Sequence, residues 1–339
     1  MKIIDDFYKI DLLEWNKLIQ ASDTVSFFQT ADCYHFYESL SFFEPFVFSV
    51  ESDKRLKGLI QGCIRKEKDP IKRIFSRRAI VTGGALLAPD ITNEELSALL
   101  NALRQSLCKR AIYIEIRNFN DYSQWKAIFE KRQFHYIPHL NFHIDTTSED
   151  VIMSNLGKSR KRDIRTSLRD GASIIEKPTL QDVKSFYSIL ETLYHTKVKT
   201  PLFPFEFFEK LYVSGLGIYQ LIQLNGEVIG GTLCVGLENK ALYEWFACGL
   251  DGKYKNIHPS TLATFAGMKY GATHGYPLFD MMGAGKPDDS YGVRDFKAKF
   301  GGVQKEHGRF LCVTKPLFYK IGKLGVKFLK SKYHQLNSK

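Results

Sequence analysis

Apolar and polar positions alternate along this chain in two patterns, and these patterns recur in the same order in both halves. Runs with a period of two residues predict strands, and runs with apolar residues every three or four positions predict helices. The first half predicts two helices, three antiparallel strands, a helix and a strand. Its segments are helices 8–20 and 30–40, strands 44–52, 55–66 and 77–87, helix 92–110, strand 111–119, helix 122–132 and strand 140–145.

The second half repeats this order of elements. Its segments are helices 188–197 and 205–212, two strands within 218–239 joined at Asn225-Gly226, strand 240–250, helix 259–275 and strand 278–282. An Asn-Gly pair between apolar runs is a strong hairpin signal. The stretches LKGLIQGC and VIGGTLCV align, as do AIYIEI and PLFDMM, so the order repeats while the sequence hardly does.

We therefore predict an α+β (α/β) protein made of two similar domains, each with a mixed, mainly antiparallel sheet flanked by helices. The predicted boundaries are 1–150 for the first domain and 151–312 for the second. A basic amphipathic helix is expected over 313–339.

Length and composition fit a globular protein of two domains kept in the cytoplasm. The 339 residues are 44% hydrophobic and 25% charged, an ordinary globular balance. No apolar stretch approaches the about 20 residues that span a bilayer, and acids interrupt the N-terminus where a secretory signal would be apolar. The six cysteines lie far apart without a C-x-x-C pair. We expect neither a disulfide framework nor a metal site, and no cofactor.

The net charge of +11 is concentrated in two segments. The first is GKSRKRDIRTSLRDG at 157–171, which predicts a helix over 158–169 with Arg162, Arg165 and Arg169 on one face. The second is the lysine-rich tail from 315 onward, which contains no acid. Such segments favour polyanionic partners, namely nucleic acid, anionic lipid or a phosphorylated substrate, and the alternative is a solvated basic surface.

The tail combines this charge with an apolar stripe. Leucine, isoleucine and phenylalanine side chains share one helical face, and lysines occupy the other; the residues are Leu317, Ile321, Leu324 and Phe328, and Lys320, Lys323, Lys327 and Lys330. A helix of this kind lies on an anionic membrane surface, or packs its stripe back on the first domain. Both alternatives stay open.

The segment FDMMGAGKPDDSYGVRDFKAKFGG at 279–302 has glycines and cations close together, but it is not a phosphate loop. Pro287 follows Gly285-Lys286 where a P-loop needs a hydroxyl residue, and proline lacks the backbone N–H that would serve a phosphate. The pattern instead predicts a strand end that opens into a glycine-rich loop. Asp280 interrupts the apolar strand, either as a base for an incoming amine or as a group that orients the loop.

Three stretches resemble the FemAB-type peptidyltransferases and their GNAT-like relatives: SFFQTADCYHFYE at 26–38, NLGKSRKRDIRTSLRDG at 155–171, and the segment from Tyr243 to Gly302. The resemblance implies two GNAT-like domains in tandem. It also implies that a central strand of the second domain separates from its neighbour to form a cleft. The expected activity is transfer of an amino acid from aminoacyl-tRNA to an amine on the peptide of a peptidoglycan precursor.

The resemblance also assigns site residues. Lys297, in FKAKFG, is expected beside the reacting carbonyl, where a cation lowers the barrier to forming an oxyanion, and Asp280 is the second catalytic candidate. Arg165, and after it Arg162, are expected on the diphosphate of the precursor. The remaining substrate-binding candidates are Tyr243, Trp245 and Tyr291 as cleft walls, Gly283 and Gly285 for close backbone approach, and Lys286, Arg294 and Lys299 for phosphates. Alternatively, Arg294 and Lys299 pair with Asp288, Asp289 and Asp295 on the surface.

The sequence departs from both families in ways that bear on the donor and the acceptor. GNAT enzymes bind the pyrophosphate of CoA with a glycine pattern before a helix, and neither DGKYKNIHPST at 251–261 nor GGALLAPDITNEE at 83–95 has that pattern. This favours aminoacyl-tRNA over a thioester donor. After Phe28-Gln29 the family lysine for substrate phosphate is absent.

Two alternative functions stay open. One is an N-acyltransferase of a surface polysaccharide or lipid that uses acyl-CoA or acyl carrier protein. The other is a non-catalytic module that binds RNA or membrane. For the first-choice function, the expected partners are the donor, a lipid-linked or nucleotide-linked cell-wall precursor, and the anionic inner face of the membrane.

Overall fold

The computed structural model describes residues 1–66, 77–198 and 200–323. The chain divides into two compact units. Unit 1 is Met1–Pro138 together with the segment from His307 onward, and unit 2 is His139–Glu306. Each unit contains one mixed sheet with helices packed on it.

In unit 1 the strands lie in the order β1-β2-β3-β4-β6-β15-β7, and β5 pairs with β3. The strands are β1 Lys2–Ile4, β2 Phe43–Ser52, β3 Arg55–Arg65, β4 Arg78–Gly83, β5 Leu86–Leu87, β6 Tyr113–Asn118, β7 His135–Ile137 and β15 Arg309–Val313. The helices are α1 Leu12–Ala21, α2 Ala31–Ser39, α3 Asn93–Leu107 and α4 Lys126–Lys131.

Local signals explain where these elements begin and end. Thr92 and Glu95 form a capping box at the start of α3, which satisfies backbone N–H groups that have no partner within the helix. The predicted strand 77–87 is divided into β4 and β5, because Gly83 and Gly84 both adopt positive φ, +89° and +92°, a conformation that favours glycine.

In unit 2 the strands lie in the order β14-β8-β13-β12-β11-β10-β9. The strands are β8 Leu140–Asp145, β9 Ser173–Ile174, β10 Ile218–Leu224, β11 Glu227–Leu237, β12 Ala241–Gly249, β13 Leu278–Gly283 and β14 Val303–Glu306. The helices are α5 Glu149–Asn155, α6 Lys158–Arg169, α7 Leu180–Leu193, α8 Phe205–Val213, α9 Pro259–Thr273 and α10 Gly292–Ala298. Helix α9 packs on β11 and β12 over the apolar core of the unit.

Two strands set the unit boundaries at 138 and 306, whereas the sequence predicted 150 and 312. Strand β8 pairs with β13 and β14 of unit 2. Strand β15, from the far end of the chain, pairs with β6 and β7 of unit 1. The boundaries differ because β8, which follows unit 1 along the chain, pairs in the sheet of unit 2. Strand β15, which follows unit 2 along the chain, pairs in the sheet of unit 1.

A last helix, α11, covers residues 316–323 up to the end of the described part. Its Tyr319 ring packs edge-on against Tyr113 at 5.4 Å, while Leu317 and Ile321 are 68% and 45% exposed. The described part of the apolar stripe is therefore not the face that packs on unit 1. Leu324, Phe328 and the rest of the predicted helix 313–339 lie outside the described residues. Within the described ranges, no helix has both the length and the apolarity to cross a membrane.

Candidate active site

Strands β12 and β13 run side by side for a short distance and then separate. Ala241–Tyr243 pair in parallel with Leu278–Asp280. Beyond that point β12 stays paired with β11 up to Gly249, and β13 follows β8 to Gly283. A β-bulge in β12 leaves Trp245 without a register partner on β11, which bends the strand. The gap between residues 244–249 and 281–283 is called the strand split below.

The equivalent strands of unit 1 do not separate. β4 and β6 pair continuously from Arg78 and Tyr113 to Gly83 and Asn118. Buried side chains pack at the end of β4: Gln29 Nε2 donates to the Gly83 carbonyl at 3.2 Å, and Tyr122 Oη donates to the Ala85 carbonyl at 2.6 Å. The glutamine of the Phe-Gln pair, on which part of the family resemblance depends, is thus bonded to the end of β4.

Lys297 lies at the strand split with its side chain buried. Helix α10 positions it so that Nζ donates to the carbonyls of Met281 and Gly283, the latter at 2.9 Å. Burial lowers the pKa of Lys297, and the negative charges of Glu244 and Asp280 oppose that shift. A lysine ammonium has three N–H donors. Among the described residues two of them are bonded, which leaves one for a ligand.

Asp280 orients the backbone at the end of β13, whose carbonyls accept from Lys297. Its Oδ1 accepts from the backbone N–H of Met282 at 2.6 Å, and Met282 has φ +57°, the left-handed region that non-glycine residues rarely adopt. Asn141 Nδ2 lies 3.4 Å from each Asp280 carboxylate oxygen, and His143 Nε2 lies 3.4 Å from Oδ2. These contacts favour the orienting role among the two expected for Asp280.

Glu244 was missed by the sequence analysis, although it carries the same signal as Asp280, an acid inside an apolar strand. It is the first β12 residue beyond the pairing with β13 and is 6% exposed. Thr264 on α9 donates to its Oε1 at 2.8 Å. The Thr232 hydroxyl on β11 lies 3.4 Å from the same oxygen and 3.0 Å from the Phe246 carbonyl. Burial raises the pKa of Glu244, and the charge of Lys297 and the two hydroxyls act against that rise.

Arg294 holds the glycine-rich loop after β13 through backbone carbonyls. Arg294 donates to the carbonyls of Ala284 at 3.1 Å, Pro287 at 3.0 Å, and Lys286. Gly285 has φ +79° and the Tyr291 ring lies against it. Arg294 therefore has a structural role in the loop, and its contact with a substrate phosphate stays a prediction. Lys286 is exposed.

Helix α6 has the predicted bounds but turns a different arginine inward. Arg160 is buried, donates to Thr261 Oγ1 at 3.0 Å, and lies 4.4 Å from the centroid of the Phe296 ring on α10. Arg162 and Arg165 are exposed. The buried contacts of Arg160 fix α6 to the helix that carries Lys297.

The remaining candidates fall into two groups. Tyr243 is buried beside Glu244 in the chain, and Trp245 packs edge-on against Phe207 at 4.9 Å. Tyr291 is 41% exposed, and Lys299 is exposed while its carbonyl accepts from Gly157 N–H at 3.2 Å. Of the predicted site residues, the structure thus brings Lys297, Asp280 and Gly283 together at the strand split.

The arrangement suits acyl transfer. A buried ammonium fixed among carbonyls stabilises negative charge as it develops on a bound carbonyl oxygen. Because the electrostatic partners of Lys297 are already in place, little reorganisation is needed when the oxyanion forms.

Residues 220–327 match the sequence profile of the FemAB family, which confirms the predicted resemblance. The matched segment contains the strand split, Glu244, Asp280 and Lys297. No curated protein matches the chain in sequence.

Solved structures share the fold over nearly the whole chain. The crystal structure of FemX superposes with a TM-score of 0.71 at 13% identity, over 95% of this chain and 99% of FemX. A tandem GNAT protein from the clavulanic acid biosynthesis pathway gives 0.57 at 13% identity, over 92% and 98%. L-PGS from Bacillus licheniformis gives 0.55 at 14% identity, over 93% and 96%.

These likenesses confirm the predicted α+β tandem GNAT fold. The family match bears out the prediction of an acyltransferase and supports an aminoacyltransferase related to peptidoglycan.

Proposed function

We propose, from the FemAB match of unit 2, that this chain transfers an aminoacyl group from aminoacyl-tRNA to an amine on the peptide of a cell-wall precursor. The reacting ester sits in the strand split. The observation that carries the proposal is Lys297, a buried ammonium with two N–H groups on the carbonyls of Met281 and Gly283 and a third available to a substrate oxygen.

The chemistry needs few protein groups. The lone pair of the precursor amine attacks the ester carbonyl carbon, a C–N bond forms, and the C=O pair moves onto oxygen beside Lys297. When that pair returns, the C–O bond to the terminal ribose of the tRNA breaks. The proton lost by the amine ends on the departing ribose oxygen, so the products are an amide and uncharged tRNA. Lys297 stabilises the oxyanion between these steps.

A GNAT enzyme would bind CoA at the N-termini of α9 and α3. In this chain, the residues at both N-termini support tRNA as the donor. In α9, Pro259 at the first position has no N–H, and the N–H of Ser260 already bonds to Asp251 Oδ1 at 3.2 Å. In α3 of unit 1, Thr92 and Glu95 cap the helix. Carboxylates of the chain itself occupy positions that would receive a pyrophosphate, which disfavours acyl-CoA.

For the acceptor we keep the proposal that Arg165 and Arg162 contact the diphosphate of a lipid-linked or nucleotide-linked precursor. What supports it is their exposure on α6, since an exposed guanidinium is available for bidentate contact with phosphate. Arg162 bonds Asp163 Oδ1 at 3.2 Å with its side chain 74% exposed, so that pair is easily exchanged for a stronger anion. Exposed Lys286 and Lys299 are proposed for phosphates of the tRNA end.

A further part of the proposal is attachment to the anionic cytoplasmic face of the membrane through α11. Leu317 and Ile321 are exposed, as are Lys320 and Lys323 on the same helix. Exposed apolar side chains next to lysines suit a surface of anionic lipid. A lipid-linked acceptor would be presented at that surface.

The experiment is label transfer with purified protein. We expect transfer from charged tRNA to a peptidoglycan precursor, and none from acyl-CoA or acyl carrier protein. Lys297→Ala should lower the rate by about 100- to 1000-fold, the loss typical of an oxyanion donor, whereas Lys184→Ala, an exposed residue on α7, should not change it. Transfer from a thioester alone, or normal transfer by Lys297→Ala, would contradict the proposal.

A further inference from the structure

The strand split contains a second buried charge that acyl transfer by Lys297 does not use. Glu244 stands on the β12 side and Lys297 is fixed to the β13 side by the carbonyls of Met281 and Gly283. A carboxylate in an apolar interior is costly unless a partner compensates it. Lys297 and the hydroxyls of Thr264 and Thr232 already favour the ionised carboxylate, and a cationic ligand in the strand split would favour it further.

The hydrogen bonds of Glu244 involve only one of its two carboxylate oxygens among the described residues. Among the described residues, Thr264 donates to Oε1 at 2.8 Å and the Thr232 hydroxyl lies 3.4 Å from the same oxygen. The two hydroxyls come from α9 and β11, so the carboxyl is oriented from two elements. No hydrogen bond from a described residue reaches Oε2, and Glu244 is the first β12 residue beyond the pairing with β13.

We propose that Glu244 is the receptor for the free α-ammonium of the aminoacyl donor, so that the split selects α-aminoacyl esters over acyl groups that lack this charge. The inference rests on the proposed function of the same site. In an aminoacyl ester, a single Cα joins the carbonyl carbon to the ammonium nitrogen. A donor whose carbonyl oxygen meets Lys297 therefore carries its ammonium into the neighbourhood of Glu244.

The charges of the site complement those of such a donor. Lys297 presents a positive group to the carbonyl oxygen, and Glu244 presents an acceptor to the ammonium. Burial raises the pKa of Glu244, and a cation bound beside it favours the ionised carboxylate. Asp280 is not the receptor, since Met282, Asn141 and His143 already surround its carboxylate.

The test compares two donors in the wild type and in Glu244→Gln. The amide keeps an oxygen that accepts from Thr264 and loses the negative charge. With tRNA charged with labelled amino acids, Glu244→Gln should lower kcat/KM by about 30-fold or more, as expected when a buried charge pair loses one partner. With the same tRNA carrying N-acetylated amino acids, wild type should transfer poorly and Glu244→Gln should transfer as well or better.

Other outcomes overturn the inference in distinguishable ways. If Glu244→Gln slows both donors by the same factor, Glu244 acts as a base or as a structural group, and the receptor role is wrong while the proposed function stands. If the wild type transfers neither donor, the proposed function fails and the inference fails with it. Glu238→Gln, an exposed acid at the turn between β11 and β12, should match the wild type.

A binding measurement adds a readout that does not depend on turnover. The probe is a non-hydrolysable 3′-aminoacylamido adenosine, titrated by calorimetry. Wild type should bind its N-acetyl derivative about 30-fold or more weakly than the probe itself. Glu244→Gln should bind both equally. Equal binding of both probes by the wild type would contradict the inference.

Discussion

Asp280 accepts a hydrogen bond of 2.6 Å from the backbone N–H of Met282, which lies in a left-handed conformation at φ +57°. This bond closes a turn inside β13, and the turn directs the carbonyls of Met281 and Gly283 toward Lys297. The Asp280 carboxylate therefore positions Lys297 indirectly, through the backbone of β13.

The first prediction separates this orienting role from that of a base. Asp280→Asn keeps an oxygen that accepts from Met282, so it should retain a substantial part of the transfer activity. Asp280→Ala leaves buried donors unpaired, which should cost about 1–3 kcal/mol of unfolding free energy and displace Lys297. The measurements are urea denaturation and the rate of label transfer. Complete loss of activity in Asp280→Asn with unchanged stability would instead show that Asp280 is a base.

The second prediction concerns pH and activity. Lys297 must be protonated to stabilise an oxyanion, and burial holds its pKa below the ordinary value of 10.5. The rate of transfer should therefore fall with rising pH, with a midpoint below 10.5. Lys297→Arg keeps a charge that does not titrate in this range, so any activity it retains should lack this decline. A profile of kcat against pH for both proteins is the measurement.

The same pKa shift affects stability with a defined sign. Because the pKa of Lys297 is lower in the folded protein, the unfolded chain binds the proton more strongly between that pKa and 10.5. Stability contributed by this group should thus rise with pH across that window. Lys297→Met should remove this contribution to the slope, and an unchanged slope would show that the lysine titrates normally.

The third prediction concerns α11. Replacing both Leu317 and Ile321 by serine should weaken binding to vesicles that contain anionic phospholipid by about 10-fold or more, since each buried apolar side chain contributes about 1.5–3 kcal/mol. Leu13→Ser on α1 is the matched control, because Leu13 is 72% exposed and Leu317 is 68% exposed. Vesicle sedimentation measures this, and equal binding by the double variant and wild type would contradict membrane attachment through α11.

Local signals made most of the elements predictable. The capping box of Thr92 and Glu95 marks the start of α3, and Asn225-Gly226 marks the turn between β10 and β11. Helix α6 begins and ends as its charge and apolar pattern indicate. These signals act over a few residues, so they can be recognised without knowing the fold.

Longer-range features were not predictable in the same way. That β8 joins unit 2 and β15 joins unit 1 depends on pairing between strands far apart in sequence. The i, i+3, i+7 spacing put Arg162, Arg165 and Arg169 on one face but did not show that this face meets solvent. Arg160 is buried because the Phe296 and Phe300 rings cover it, and those rings come from a distant segment.

The site was predictable in part for a similar reason. Lys297 and Asp280 lie in a motif with a family resemblance, and the structure brings both to the strand split. Glu244 was missed, although it lies in the apolar run ALYEWFACG, where an acid is as unusual as Asp280 is in its own strand. The partners of Arg294 are backbone carbonyls, which no side-chain pattern reveals.

The continuous ladder between β4 and β6 has a consequence for stoichiometry. Two units with the same fold suggest two equivalent binding sites for a donor. In unit 1, however, the hydrogen bonds between β4 and β6 leave no gap between these strands. The chain should therefore take up a single activated amino acid at a time, and titration with a donor analogue should saturate at one equivalent per polypeptide.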